Sequence, residues 1–496
     1  MGLSSDLTKK EFIAYSFFNF KNIDSFQPVD YQVYVDAYNA ENKANLTVDE
    51  FKKDLPAECF DEDGLFCPDA YYQYYLKYDC LILSAGMIRL EETLQNDLSE
   101  ICEGLEVPSI FDRSVYTTPG FARKFFEANG ALDGSFKAVG VLKEFLHESF
   151  YGGRVISNGK NSDKDMQYDD ACSLYPSAMM ELIEYLNGIT NGEAVLLKDN
   201  EKTLEFLADK QDYTVRVRVT GMSKTQECEI GILPERKKDK SVIYHWKYPD
   251  YQFTGVYGKI LLEDAIDRLG LQFQIIEGVY WNKAEVPNKR YAEITKLLYD
   301  TRLKFKKTNP ALATIIKLIL NTGCYGCLAR KPSYTKNALK TEKESLGYLA
   351  NNFEEIERFR PINGNNVLFE VRSADTNYTS VKIACNVLDM SKKIMNRVFS
   401  ACSEAGVIVP YSDTDSFVIP VEKRAEIIQK YEEKTGRVYS GINLGQFHSD
   451  FSIKGLPKHM TEDDIVSKEF WNIGKKLYFH MLEAVDKKTG KTHTGY

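Results

Sequence analysis

No second C-x-x-C pair and no nearby histidine accompanies Cys324 and Cys327, which leaves that pair short of a zinc ligand set. Cys59, Cys67, Cys172, Cys228 and Cys385 are scattered without the dense spacing of a disulfide framework, so a reducing interior fits best. No apolar run approaches the ~20 residues of a membrane span, and Met1 leads into Gly-Leu-Ser-Ser-Asp, without the basic stretch and apolar core of a secretory leader. The expectation is a cytoplasmic chain with no membrane partner. A cationic surplus is missing too. The formal net charge of -9 argues against non-specific coating of nucleic acid, although a local basic track beside an acidic metal site would cancel in that sum. Internal repeats and low-complexity tracts are absent.

What is present is 496 residues with an ordinary 43% hydrophobic and 27% charged content, enough for roughly three domains. The first hundred residues are acidic and aromatic and end in a helical stretch over 68–105. There Tyr71, Tyr72, Tyr74, Tyr75 and Tyr78 surround Asp79, and Leu81, Ile82, Leu83, Met87, Ile88 and Leu90 follow, as in a buried helix presenting one carboxylate. A boundary is expected at 105–115, then a linker, a helix over 121–129 and a turn at Tyr151-Gly152-Gly153-Arg154. Residues 155–180 read as strand, polar loop, strand and a helix started by Pro176; residues 190–285 as a β-rich insertion; residues 286–330 as helical with a break at Asn309-Pro310. A polar connection near 351–366 precedes a helix over 379–400. After it comes a hairpin in which Val407-Ile408-Val409 and Phe417-Val418-Ile419 flank the turn Ser412-Asp413-Thr414-Asp415.

Three constellations carry chemistry. Asp413 and Asp415, two residues apart at the tip of an apolar hairpin, must sit in solvent or bind a cation, because unpaired buried charge is very costly. Asp170, in the run Asp169-Asp170-Ala171-Cys172-Ser173-Leu174-Tyr175-Pro176, ends a strand just before a helix N-terminus, where an anionic triphosphate would be welcome. Arg302 and Lys306, one turn apart, followed by Lys317, Asn321 and Tyr325, form a cationic helix face for phosphate oxygens with an aromatic to support a base pair. Lys317 lies in the apolar run IIKLIL, where an unneeded charge is unexpected. Carboxylates from separate segments and a facing cation cluster are what two-metal nucleotidyl transfer requires.

DACSLYP resembles motif A of family-B DNA polymerases (D-x-x-S-L-Y-P), KLILNTGCYG motif B (K-x3-N-S-x-Y-G) and YSDTDS motif C (Y-x-D-T-D-S), in the family's order. Lys476 and Tyr478 are similar to its later K-x-Y motif, which contacts primer phosphates. Tyr151-Gly152-Gly153 resembles the Y-x-G-G motif of the protein-primed phage and linear-plasmid branch, whose proteins work in the host cytoplasm when phage-encoded. The resemblance implies an α+β multidomain, right-hand fold with a palm of antiparallel sheet and helices, helical fingers and a partial thumb. It makes Asp170 and Asp415 the ligands of two Mg2+ (or Mn2+) ions, supported by Asp413. Ser173, Leu174 and Tyr175 would meet the nucleotide, with Tyr175 excluding a 2′-hydroxyl. Arg302, Lys306 and Lys317 would hold the triphosphate, and Asn321 and Tyr325 would line the nascent pair. Tyr151, Gly152, Gly153, Lys476 and Tyr478 would contact DNA. Template-primer DNA and dNTPs are the implied partners, with a terminal protein as possible primer.

The implied parts are a partial exonuclease-like domain (1–110), a linker and first part of the palm (111–189), the β-rich insertion (190–285), fingers (286–335), a second insertion or surface loop (336–375), the rest of the palm (376–478) and the start of a shortened thumb (479–496). Two departures stand out. Motif B is one residue longer than the family spacing between Asn321 and Tyr325, an excess that a helix bulge would absorb. Tyr75 and Asp79 resemble the third exonuclease motif, but no D-x-E or N-x-x-x-D lies upstream: Asp61-Glu62-Asp63 reads as an acidic turn, and Asn19 to Asp24 has the wrong spacing. Weak or absent proofreading is therefore expected.

Overall fold

The computed structural model describes residues 12–18, 26–53, 55–102, 104–113, 115–323, 325–331, 333–375 and 378–496, and the chain divides into two compact units, Met1–Glu103 and Gly104–Tyr496. Asn19 to Asp24 and Cys324 lie outside the described residues.

In the first unit, α1 (Tyr31–Asn42) is opened by Asp30, whose carboxylate accepts the Gln32 N–H at 2.8 Å, and α2 (Val48–Lys52) by a Thr47–Glu50 capping box. α3 (Pro68–Glu92) carries proline in its first turn and runs through a π-helical stretch, Thr93–Leu98, into α4 (Ser99–Ile101). The core is aromatic. Tyr34 is fully buried, with Phe51, Phe66 and Tyr71 at ring-centroid distances of 5.0, 4.7 and 5.6 Å. Only the start of α3 joins this core, which corrects the expectation of a buried helix: Leu76, Leu81, Leu83 and Ile88 are 46–67% exposed. At ~100° per residue these four fall on two separated stripes, which a single neighbour cannot cover. Tyr75 and Asp79 meet on α3, and the Tyr75 hydroxyl also lies 2.8 Å from that of Tyr15. Asp61 Oδ1 accepts the Asp63 and Leu65 N–H groups at 3.1 and 2.7 Å, so the 61–63 acidic cluster is the expected turn.

The second unit opens with α5 (Thr118–Ala128), α6 (Gly140–Glu148), β1 (Val155–Ser157), β2 (Met166–Ala171) and α7 (Leu174–Leu186). α7 begins at Leu174, two residues ahead of Pro176. The β-rich stretch comprises β3 (Val195–Leu196), α8 (Leu204–Ala208), β4 (Asp212–Met222), β5 (Leu233–Arg236), β6 (Val242–His245), β7 (Phe253–Gly258), α9 (Lys259–Leu269) and β8 (Leu271–Trp281). Its main sheet has the order β3-β8-β4-β7, with β5 and β6 paired beside it. In β4, Tyr213, Val215, Val217 and Val219 point into one core while Arg216 and Arg218 face outward, the strand period of the TVRVRV run.

α10 (Arg290–Phe305) and α11 (Pro310–Thr322) follow, with Asn309 capping α11 through the Leu312 N–H at 3.1 Å. By length and composition alone Pro310–Ala329 passes as a membrane span, a run that the sequence reading does not single out. α11 buries Leu312, Ala313, Ile316, Ile319 and Leu320 and leaves Lys317 and Leu318 exposed, so the charge in IIKLIL lies on its open face. Residues 336–375 are not a loop. β9 (Thr335–Thr341), α12 (Glu342–Asn352), β10 (Ile356–Ile362) and β11 (Asn366–Arg372) form a three-stranded sheet in the order β10-β11-β9, with Tyr348 of α12 against Phe369 on one side. The other side is open, and its polar residues disguise the strands.

α13 (Val381–Glu404) is buried almost throughout and carries a polar seam. Lys382 pairs with Asp212 at 3.0 Å, Lys392 Nζ donates to Tyr151 O at 2.6 Å, and Asn396 binds Arg154 and Asp264 at 2.7 and 2.6 Å. The chain ends with β12 (Tyr411–Asp413), β13 (Ser416–Pro420), α14 (Val421–Thr435), β14 (Phe447–Ser449), β15 (Ile465–Gly474), β16 (Leu477–Val485) and β17 (Thr492–Gly495). The first hairpin strand is 411–413 and not 407–409, because the Val409 N–H is already bonded to Cys228 O at 3.1 Å. An eight-stranded antiparallel sheet, β1-β12-β13-β2-β15-β16-β17 with β14 also on β2, dominates this part. Residues 479–496, expected to begin a shortened thumb, supply most of β16 and all of β17 to that sheet.

Candidate active site

The sheet register assembles the carboxylates. Asp170 on β2 pairs with Ser416 on β13, Ser416 with Asp413 on β12, and Asp413 with Val155 on β1. Directly opposed residues share a face, so Asp170 and Asp413 flank Ser416 on one side of the sheet. Asp415 sits in the β12–β13 turn, held to β2 by its carbonyl, which accepts the Ala171 N–H at 2.8 Å. That turn requires Thr414 at φ 60°, and Thr414 donates its N–H to Arg154 O at 2.8 Å. Gly153 makes this approach possible, since a Cβ there would lie 2.5 Å from Thr414 Oγ1. Tyr151, expected at DNA, is 2% exposed and stacked on Tyr257 at 6.1 Å, so its side chain belongs to the core; Gly152 and Gly153 stay exposed.

Burial, then Asp415, then Asp450 push the Asp170 carboxyl up to about 8, and Lys317 pulls it back. Burial also raises Asp415, with Asp413 and Asp450 adding to the rise and Lys476 opposing it. Among the described residues neither carboxylate has a side-chain hydrogen-bond partner, whereas Asp413 is ion-paired to Lys476 at 2.7 Å. Among the described residues no three His, Cys, Asp or Glu side chains stand close enough to enclose an ion. Two desolvated, mutually repelling carboxylates that form no direct ion pair among the described residues nevertheless have the chemistry of a divalent-cation site. Asp170 also fixes a pH dependence. Between pH 4 and 8 the native Asp170 holds a proton that the unfolded chain has released, so its contribution to metal-free stability falls as pH rises. Asp170→Asn should stabilise the chain little near pH 4 and most near pH 8 in thermal melts with EDTA; a stability difference that does not change with pH would refute this.

The cationic residues and their aromatic neighbours lie on or beside α7, α10 and α11. Ser173, at φ 50°, does not cap α7 with its hydroxyl, which accepts from Arg302 Nη1 at 3.4 Å, leaving the first N–H groups of a 13-residue helix without a side-chain cap. Leu174 is 2% exposed, so it offers backbone only. Tyr175 stacks on Tyr325 with ring centroids 4.3 Å apart, so the longer motif B spacing still delivers Tyr325 to the site. The charges of Arg302 and Lys306 both reach Cys172, beside Asp170, and that of Lys317 reaches Asp170 itself. Asn321 lies one turn beyond Lys317 on α11. Lys476, at φ 60° in the β15–β16 turn, donates its N–H to the Tyr411 hydroxyl at 3.2 Å, and Tyr478 packs on the Tyr411 ring at 4.5 Å.

Several contributors carry no sequence signal. Asp450 follows β14, with its N–H bonded to Tyr168 O at 3.1 Å, and its charge acts on both Asp170 and Asp415. Asp169 is buried beneath the site, held by Arg424 at 3.0 Å and the Tyr439 hydroxyl at 2.7 Å. His448 Nδ1 lies 3.2 Å from Cys172 Sγ.

The family described as DNA polymerase type B, organellar and viral, matches residues 7–401. The chain belongs to that family. Among solved structures, an orthorhombic crystal form of phi29 DNA polymerase aligns with a TM-score of 0.55 at 15% identity, covering 92% of this chain and 67% of that one. The phi29 polymerase complexed with primer-template DNA and incoming nucleotide substrates gives 0.53 at 15% identity with the same coverage. Its complex with single-stranded DNA gives 0.49 at 14% identity, covering 76% of this chain. The chain spans 57% of the length of that last relative, and at these identities the likeness is one of fold. No curated protein matched. The fold is thus phi29-like, a multidomain mixture of helices and antiparallel sheets.

Proposed function

We propose that the chain is a template-directed DNA polymerase that adds deoxynucleotides to a primer 3′-hydroxyl. The observation that carries this reading is the pair Asp170 and Asp415, desolvated, mutually repelling and without a side-chain hydrogen-bond partner, within the field of Lys317. Asp170 and Asp415 would hold two Mg2+ or Mn2+ ions, which when bound supply activation of the hydroxyl and charge neutralisation at the phosphates. Arg302, Lys306 and Lys317 hold the triphosphate, Tyr175 excludes a ribose hydroxyl, and Asn321 and Tyr325 line the new pair. Lys476, Tyr478 and the Gly152-Gly153 backbone track the primer strand. Template-primer DNA and dNTPs, present in the phi29 ternary complex, are the partners this reading takes.

The resemblance of Tyr151-Gly152-Gly153 to the Y-x-G-G motif supports extending this proposal to priming from a terminal protein, with 190–285 as its contact region and the host cytoplasm as the setting. Wild-type chain with Mg2+ and dNTPs should extend a recessed primer with the nucleotides the template dictates. DNA binding without extension at any enzyme concentration would return a non-catalytic replication subunit, and degradation in place of extension a nuclease. Excision of single-stranded DNA should be weak; robust excision abolished by Asp79→Ala would overturn that expectation.

A further inference from the structure

The ends of α9 and α14 and the middle of α13 enclose a cleft of about 310 Å³ lined by Arg268, Arg397, Lys434, Thr435 and Arg437, none of which takes part in the polymerase reading. No carboxylate lines it. The surrounding acids are shared: Glu181 serves both Arg397 and Arg437 at 2.7 Å, Asp264 serves Arg268 at 2.9 Å and Lys393 at 3.6 Å, and Glu404 serves Lys434. The four cations that line the cleft therefore rest on three carboxylates, one of which Lys393 outside the cleft also shares, an excess of one charge within it. The Nη1 of Arg397 is buried and has no hydrogen-bond partner among the described residues. An unmatched guanidinium N–H beside a cationic cleft carries a free-energy cost that a small side-chain shift toward an acceptor oxygen would remove.

We propose that this cleft binds a phosphate-bearing anion. Guanidinium forks from different elements match the several oxygens of a phosphate better than the two of a carboxylate. The phosphates have two sources, free polyphosphate or consecutive phosphates of a nucleic-acid strand.

The test begins with full-length Lys306→Gln/Lys317→Gln chain in EDTA, which weakens phosphate binding at the nucleotide side. Titration calorimetry with sodium tripolyphosphate should show saturable binding. Adding Lys434→Gln and Arg437→Gln, two half-exposed positions, should weaken it at least tenfold. Glu404→Gln, which frees Lys434 from its partner, should tighten it several-fold, a gain that loss of fold cannot imitate. No saturable binding, or affinity unchanged by both sets of variants, would overturn the proposal. A twelve-residue oligothymidylate weakened by the same variants identifies a strand as the source, and weakening confined to tripolyphosphate identifies the free anion.

Discussion

Asp415→Ala should lower primer extension by roughly 10³-fold or more, the scale of losing a charged group that acts on the developing transition state. The same change should leave the metal-free fold as stable as wild type or more so. Asp415 has no side-chain hydrogen bond to lose, and its carboxyl is raised by burial and by the charges of Asp413 and Asp450. Removing it relieves repulsion within the site, and Asp170 then faces one fewer anion. Activity collapse with an unchanged or higher melting temperature is thus the expected pair of results. Activity within tenfold of wild type would remove Asp415 from the chemistry, and a markedly lower melting temperature would make it a structural residue.

Gly153→Ala should cost about 10²-fold in extension rate, although Gly153 bears no functional group. The added Cβ would sit 2.5 Å from Thr414 Oγ1 and 3.1 Å from its Cγ2, inside contact distance. Thr414 cannot swing away freely, because its φ of 60° and its N–H bond to Arg154 O fix the turn between Asp413 and Asp415. Arg154 in turn is tied to Gly231 O at 2.9 Å and Asn396 at 2.7 Å, so the strain moves into the carboxylates. Displacement of a reacting constellation by ~1 Å commonly costs about 10²-fold. Thr414→Gly in the same chain removes both clashing atoms and suits a positive φ, and it should restore most of the rate. Gly153→Ala at more than a third of wild-type rate, or no rescue by the double variant, would refute the coupling.

The parts of the site that the sequence discloses are those whose chemistry is local. Asp170, Asp413 and Asp415 announce themselves by neighbours within a few residues, and their register across β2, β13 and β12 follows once those strands pair. Asp450 and the Arg424–Asp169–Tyr439 cluster depend on pairings between distant segments, and no short spacing reports them. Tyr151 and Leu174 show the converse: their motif neighbourhood suggests contact with ligands, while packing turns both side chains inward. The misread elements are ones with a face that meets solvent. The polar open face of β9–β11 resembled a loop, and the apolar stripes of α3 resembled a core. The polar, lysine-rich stretch between β16 and β17 likewise hid a continuous sheet.

The ion pair between Lys476 and Asp413 makes the resting site its own counter-ion. On the proposed function, a primer phosphate arriving at Lys476 would compete with Asp413 for one ammonium group, and whatever hold it gained the carboxylate would lose. Asp413 would then turn its charge toward Asp170 and Asp415, deepening the negative potential where a divalent cation would sit. DNA and cation would become partners in one equilibrium, each raising the affinity of the other by the same factor. A site so wired would keep part of its charge in reserve until a strand end is in place.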